Sequence, residues 1–356
     1  MSGSGGSKRG GIKPHEDYGF FGPGSVVWKV WGYPTSLTVG FQRAVVVEEL
    51  DPPLVAAVHA TQGIYQRPRT RYDRTLRYFA MVAFADSGTV CRAADVLVKV
   101  HSKAVGKLPY ASGTYDANDP ASQLWIQLTG WHSILYAYEK YGPGKLSQAE
   151  EQQYWAACAT AAELQTCSPD DIPRTREGVR AYFEQMRPRL SASPIARQAM
   201  DHLLHTELVL PPAPRWAAPA RAVLARAQRV ATIATLPRWM RELAGIRQPR
   251  LLDALIVPVM KVSFALAHLS PRLELLLLSQ ISPSTVPVVA PMKLGIAPHR
   301  EEVLTPAEAR SRHGFPRPAE AHLDLRARQA ARVLKDGAAP DEQALAESEP
   351  ILGPLG

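Results

Sequence analysis

The chain has 356 residues, 46% hydrophobic and 21% charged, which is ample for one large core and excludes a disordered chain. Its 41 Lys and Arg against 33 Asp and Glu give a formal charge of +8. It is carried by scattered arginines rather than a basic arm interleaved with aromatics, so no nucleic-acid partner is expected. The three cysteines, Cys91, Cys158 and Cys167, are odd in number and lack C-x-x-C spacing, which argues against a disulfide framework, a zinc site or an iron–sulfur cluster.

Residues 1–17, beginning "MSGSGGSKRGG", read as a flexible leader without an apolar segment of signal-peptide length. The Gly22-Pro23-Gly24 turn then leads to Ser25, a good N-cap for the amphipathic "VVWKVWG". A second helix is expected from about Thr35 to Glu49, stopped by Pro52 and Pro53; its β-branched "RAVVVEE" could serve a strand, but nothing alternates around it. Residues 54–63 look helical, and a long helix opens after Pro68. "TVCRAADVLVKVHSKAVG" is expected to end as a helix at Gly106.

A turn-rich loop, "KLPYASGTYDANDP", follows. Asp119 and Pro120 supply an N-cap and a first helical residue for "ASQLWIQLTGWHSILYAYEKYG". Ser147 and Glu150 form a capping box for the next helix, and two further helical patterns run to about residue 208. No strand alternation and no fixed-period repeat stand out. The expected class is all-α, a single large helical domain over residues 18–298 with a polar tail of one or two surface helices over residues 299–356.

The most apolar stretch, residues 251–281, is interrupted by Pro258, Lys261, Pro271, Arg272 and Glu274. It suits a buried or membrane-apposed hairpin better than a span. The expectation is a cytoplasmic protein with peripheral membrane contact through residues 251–281.

Chemistry-bearing positions are few. Arg71 and Thr75 are four apart and share a helix face that Phe79 and Val82 extend. An arginine on an apolar stripe needs an anion, either a buried carboxylate or the propionates of a haem, unless it snorkels to solvent or pairs with Asp73 or Glu48. His101 shares its face with Ala94, Leu97, Val98 and Val105. On the residues alone, a satisfied core histidine outweighs a metal ligand there, and the same holds for His132. His202 and His205 have H-x-x-H spacing without evident partners, which a polar helix face explains. There is no glycine-rich phosphate loop, G-x-S-x-G or H-E-x-x-H.

Four segments taken together resemble one family: "FGPGSVVWKV", "RYDRT" at 71–75, "KVHSKAVG" at 99–106 and "YDANDPASQLWIQLTGWHSILYAYEKYG" at 115–142. Over about residues 18–210 the sequence is similar to the MpaB-type oxygenases, whose catalytic domain is shared with the rubber oxygenases (latex clearing proteins). The resemblance implies an all-helical fold with a buried haem pocket and a haem b-dependent oxygenase that uses O2 on an apolar, unsaturated small molecule. The family's axial histidine falls on His101, with His132 as the weaker alternative for the iron. Its arginine and threonine pair falls on Arg71 and Thr75, as catalytic and cofactor-contacting residues.

Two positions depart from the family's pattern. Arg74 stands, also against the cofactor, where rubber oxygenases carry a lysine; a permanently protonated guanidinium cannot ligate iron. Gln127 stands where relatives commonly have a histidine. These departures leave an alternative, a haem-binding or structural helical protein without oxygenase turnover. The proposed glutamate base of rubber cleavage has no evident counterpart, so rubber is not the expected substrate.

Overall fold

The structure, a computed structural model, describes residues 12–212, 214–338 and 351. The expected leader up to residue 11, and the part of the expected polar tail from residue 339 on apart from Ile351, lie outside the described residues. Within them the chain is all-α: seventeen α-helices and one short two-stranded ribbon.

The first six helices are α1 (Val26–Trp31), α2 (Phe41–Glu48), α3 (Pro52–Thr61), α4 (Gly63–Gln66), α5 (Pro68–Phe84) and α6 (Ser87–His101). The ribbon strands β1 (Val105–Lys107) and β2 (Thr114–Asp116) separate them from α7 (Pro120–Tyr141), α8 (Gln148–Ala162), α9 (Arg176–Met186) and α10 (Pro194–Leu204). Then come α11 (Ala218–Thr235), α12 (Arg238–Ala244), α13 (Arg250–His268), α14 (Pro271–Ile281) and α15 (Val286–Leu294). The last two are α16 (Pro306–His313) and α17 (Leu323–Leu334).

The helix starts are local chemistry. Ser25 Oγ accepts from Trp28 N–H, Asp119 from Ala121 and Ser122, and Ser147 with Glu150 forms a reciprocal capping box. Each satisfies donors that the first turn leaves unpaired.

Two boundaries differ from the sequence expectation. The run from Thr35 starts as a π turn, Ser36–Gly40, before α2 proper. There Gly40 lies against α7, and a Cβ on it would sit 3.0 Å from Ile134 Cα. The helix expected to reach Gly106 ends at His101 instead, and Gly106 lies in β1, paired with Tyr115. A Cβ on Gly106 would meet the Tyr115 hydroxyl at 2.6 Å, so the glycine serves a close approach in the ribbon, not a helix cap. Strands of three residues are too short to show alternation, which is why none stood out in the sequence.

The core gathers around α7. Trp131 packs against Trp31 at 5.1 Å between centroids and Tyr154 at 5.0 Å, and the Tyr154 hydroxyl donates to Trp131 O at 2.8 Å. Aromatic contacts of this kind combine large buried area with fixed geometry. At Gly130 of α7 the missing Cβ leaves room for the Phe79 ring from α5.

Residues after 298 are tied back to the start of the described chain. His299 N–H donates to His15 O, Arg300 to Glu16 and Leu304 to Gly19, each at 2.9 Å, while Tyr18 donates to Glu302 O at 3.0 Å. Helix α16 packs on α6, and His322 meets Asp95 at 2.5 Å.

One helix among the described residues, Arg250–His268, is long and apolar enough to cross a membrane, with a mean hydropathy of 1.6, but only 17% of that window is buried.

Candidate functional site

A cavity of about 470 Å³ opens where the C-terminal end of α2, the first half of α5, the end of α6 and the start of α7 converge, with α3 and the end of α10 completing its wall. That volume lies in the range of small-molecule and cofactor sites. Phe41, Val45, Leu54, Val58, Ile64 and Leu203 make much of the wall apolar.

The polar groups in this wall come from distant parts of the sequence. His101, in the last turn of α6, lines it. Burial, and then the charge of Arg71, lower its pKa to about 4, so the imidazole is neutral near pH 7. Gln123 Nε2, one turn into α7, lies 3.4 Å from His101 Nδ1 and is itself held by a 2.7 Å bond to Ala117 O. Arg71 and Thr75 line the same cavity from α5. Arg71 keeps an exposed surface, yet desolvation by the surrounding protein lowers its pKa, the charges of Glu49 and Glu48 acting in the opposite direction. The Thr75 hydroxyl donates to Arg71 O at 2.9 Å, so its proton is committed to the helix and only its lone pairs are free for a guest. Arg74 is buried in the same wall.

Two carboxyl groups belong to the site that sequence reading had not assigned to it. Glu48 and Glu49, at the C-terminal end of α2, are buried and line the cavity. Burial pushes both up to about pKa 8; Arg71 opposes the shift in each, and Thr129, whose hydroxyl donates to Glu48 at 3.3 Å, opposes it in Glu48. The buried Glu49 Oε2 has no hydrogen-bond partner among the described residues, as a protonated carboxyl facing a cavity allows. The sequence signal was the pairing of Glu48 with Arg71, but nothing local placed either residue on a cavity.

Other expected residues fall elsewhere. His132 does not line the cavity; it is enclosed beside Phe183 and Arg43, whose Nη1 lies 3.4 Å from its Nδ1. Burial and the Arg43 charge hold its pKa well below the ordinary range. Gln127 also points away from the cavity. Its Nε2 donates to Cys158 O at 2.9 Å and its Oε1 accepts from Gln165 at 2.7 Å, which ties α7 to α8. His202 and His205 do line the cavity, near its α10 side, with His202 Nε2 at 2.7 Å from Ile64 O. The apolar residues beyond about Phe79 on α5 and Ile126 on α7 lie in the solid core.

A family model described as ER-bound oxygenase mpaB/B'/Rubber oxygenase, catalytic domain, matches residues 28–268. Among solved structures, one described as latex clearing protein LCP in the closed state is similar over 78% of this chain and 75% of that chain, at 18% identity and a TM-score of 0.46. No curated protein matches.

Proposed function

The chain belongs to the mpaB and rubber oxygenase catalytic-domain family, and on that premise we propose that it is a haem b-dependent oxygenase acting with O2 on an apolar, unsaturated small molecule. The observation that carries this reading is the convergence of a neutral imidazole, His101, and a guanidinium, Arg71, in one largely apolar cavity of about 470 Å³.

The donor set suits a b-type haem. A neutral imidazole has a lone pair to give, and imidazole is a usual proximal ligand. Arg71 offers the charge-assisted partner that a propionate needs. Arg74 adds a second permanent positive charge and, being a guanidinium, cannot compete for the metal. When bound, the haem supplies the O2 chemistry.

The protein's own residues then have separable roles. His101 would hold the iron, and Gln123, 3.4 Å from its Nδ1, would limit the rotation of its ring. Phe41, Val45, Leu54 and Ile64 exclude water and offer an apolar guest a surface without directional demands. Glu48 and Glu49 keep carboxyl protons near neutral pH, so each can give a proton at Oε or take one back after ionising. Thr75 presents acceptor lone pairs, its proton being engaged by Arg71 O.

The alternative without turnover loses part of its support, because Gln127 stands in a helix–helix contact rather than in the cavity wall.

An absorption spectrum with a pyridine haemochrome assay tests the cofactor. The expected result is a Soret band with one b-type haem per chain, abolished or greatly weakened in His101→Ala. Full haem retention by that variant, or a colourless protein that also fails to take up haemin, would overturn the reading. O2 consumption by the ferrous protein with a panel of unsaturated lipids and terpenoids then tests turnover.

A further inference from the structure

We propose that α11, α13 and α14 form a docking face for an anionic phospholipid surface, and the argument does not depend on the oxygenase reading.

Helix α13 turns Met260 and Phe264 inward. Its outward side nevertheless carries Leu251, Leu255, Val259, Val262, Leu266 and Leu269, spaced three or four apart, each more than half exposed. That spacing draws one continuous apolar stripe along the solvent face of a helix. Leu273, Leu276 and Leu277 of α14 and Val223 and Leu224 of α11 are exposed as well, and both helices pack against α13. Trp216, just before α11, is 84% exposed. An exposed apolar stripe continued by two neighbouring helices is the kind of surface that marks an interaction site.

Charge decides which partner fits. Residues 211–296 contain eleven Lys and Arg against three Asp and Glu, an excess of eight. That equals the formal charge of the whole chain, so the remaining residues balance. The three acids are already engaged: Glu242 with Arg238, Asp253 with Arg241, and Glu274 with Lys293 and His268. Arg226, Arg250, Lys261 and Arg272 are exposed and have no carboxylate partner among the described residues.

An apolar stripe flanked by uncompensated cations, with an exposed tryptophan just before α11, has the composition of a face that lies in the interfacial layer of an anionic membrane. A second copy of the chain fits worse. A two-fold contact through this face would set Arg250, Lys261 and Arg272 of one copy against the same cations of the other.

The face also adjoins the cavity. Leu208 and Val209 line the cavity wall, and Arg221 in the second turn of α11 donates to Glu207 O at 2.5 Å, which ties the start of the docking face to that wall.

The test is co-sedimentation of the full chain with vesicles of phosphatidylcholine alone and of phosphatidylcholine mixed with phosphatidylserine, at low and high salt. Binding should favour the phosphatidylserine vesicles and weaken with salt. Removing the charges with Arg250→Gln, Lys261→Gln and Arg272→Gln should weaken it about fivefold per cation, about a hundredfold in all. Val259→Asp with Leu266→Asp should abolish it. These positions are exposed, so thermal unfolding should be nearly unchanged and serves as the folding control. Equal binding to both vesicle types, or none at low salt, overturns the proposal. So does a concentration-dependent dimer that the variants dissociate without any vesicle affinity, which would assign the face to a second copy.

Discussion

Helices α5 and α7 each pass through two different environments. Toward the end of α5 and the middle of α7 lie Met81, Phe84 and Trp131, all within 2% of complete burial, among Trp31 and Tyr154. Toward their N-terminal ends the same two helices line a cavity bordered by Arg71, Thr75, Gln123 and two raised-pKa glutamates. The closed end contributes stability through dense packing. The open end gives some of it up: the buried carboxyls of Glu48 and Glu49 and the buried guanidinium of Arg74 are costly groups, retained where a cavity needs a proton or a charge.

The largest effect expected from this contrast is at the closed end. Trp131→Ala should cost about 3–5 kcal/mol, read from urea midpoints, and the haem spectrum that the proposed function expects should be little altered in whatever protein remains folded. A loss below about 1 kcal/mol would mean that the core does not depend on this ring.

The open end should reveal itself through pH. Glu48 and Glu49 stand at about pKa 8 in the folded protein against an ordinary 4.5. Between those values the folded state binds more protons than the unfolded chain, so the stability they allow is complete below pH 4.5 and is lost as pH rises to about 8. The loss should be on the order of a few kcal/mol, and Glu49→Gln should flatten it. An unchanged slope in that variant would remove Glu49 from the account.

Gln127 sharpens the boundary between the two environments. Gln127→Leu leaves Cys158 O and the Gln165 amide without their partner, for about 1–3 kcal/mol, while haem uptake should match the parent chain. Weakened haem binding at unchanged stability would show instead that this position reaches the cofactor. The smallest effect should be at Gln123. Gln123→Ala frees the His101 ring and should lower haem affinity by about tenfold, measured by haem transfer to an acceptor protein; no change would make the 3.4 Å contact incidental.

The helix starts were legible because they are short-range. Ser25, Asp119-Pro120 and Ser147 with Glu150 act within one turn, and the structure uses each as the residue types imply. The placement of Arg71 and Thr75 on one face was equally local, following from a spacing of four on α5. The Gly106 boundary was misplaced because a glycine looks the same in sequence whether it caps a helix or admits a neighbouring ring.

The sequence by itself determined the helical class, the caps and the apolar stripes, because each depends on neighbours within a few residues. Tertiary structure alone decided that Glu48, Arg71, His101 and Gln123 share one cavity, and that Gln127 and His132 do not. It also decided that α13, apolar on both faces, would bury Met260 and Phe264 and leave Leu266 in the open. The physical reason is the same in each case: a residue's period sets its face, but the partner that meets that face comes from a distant part of the chain.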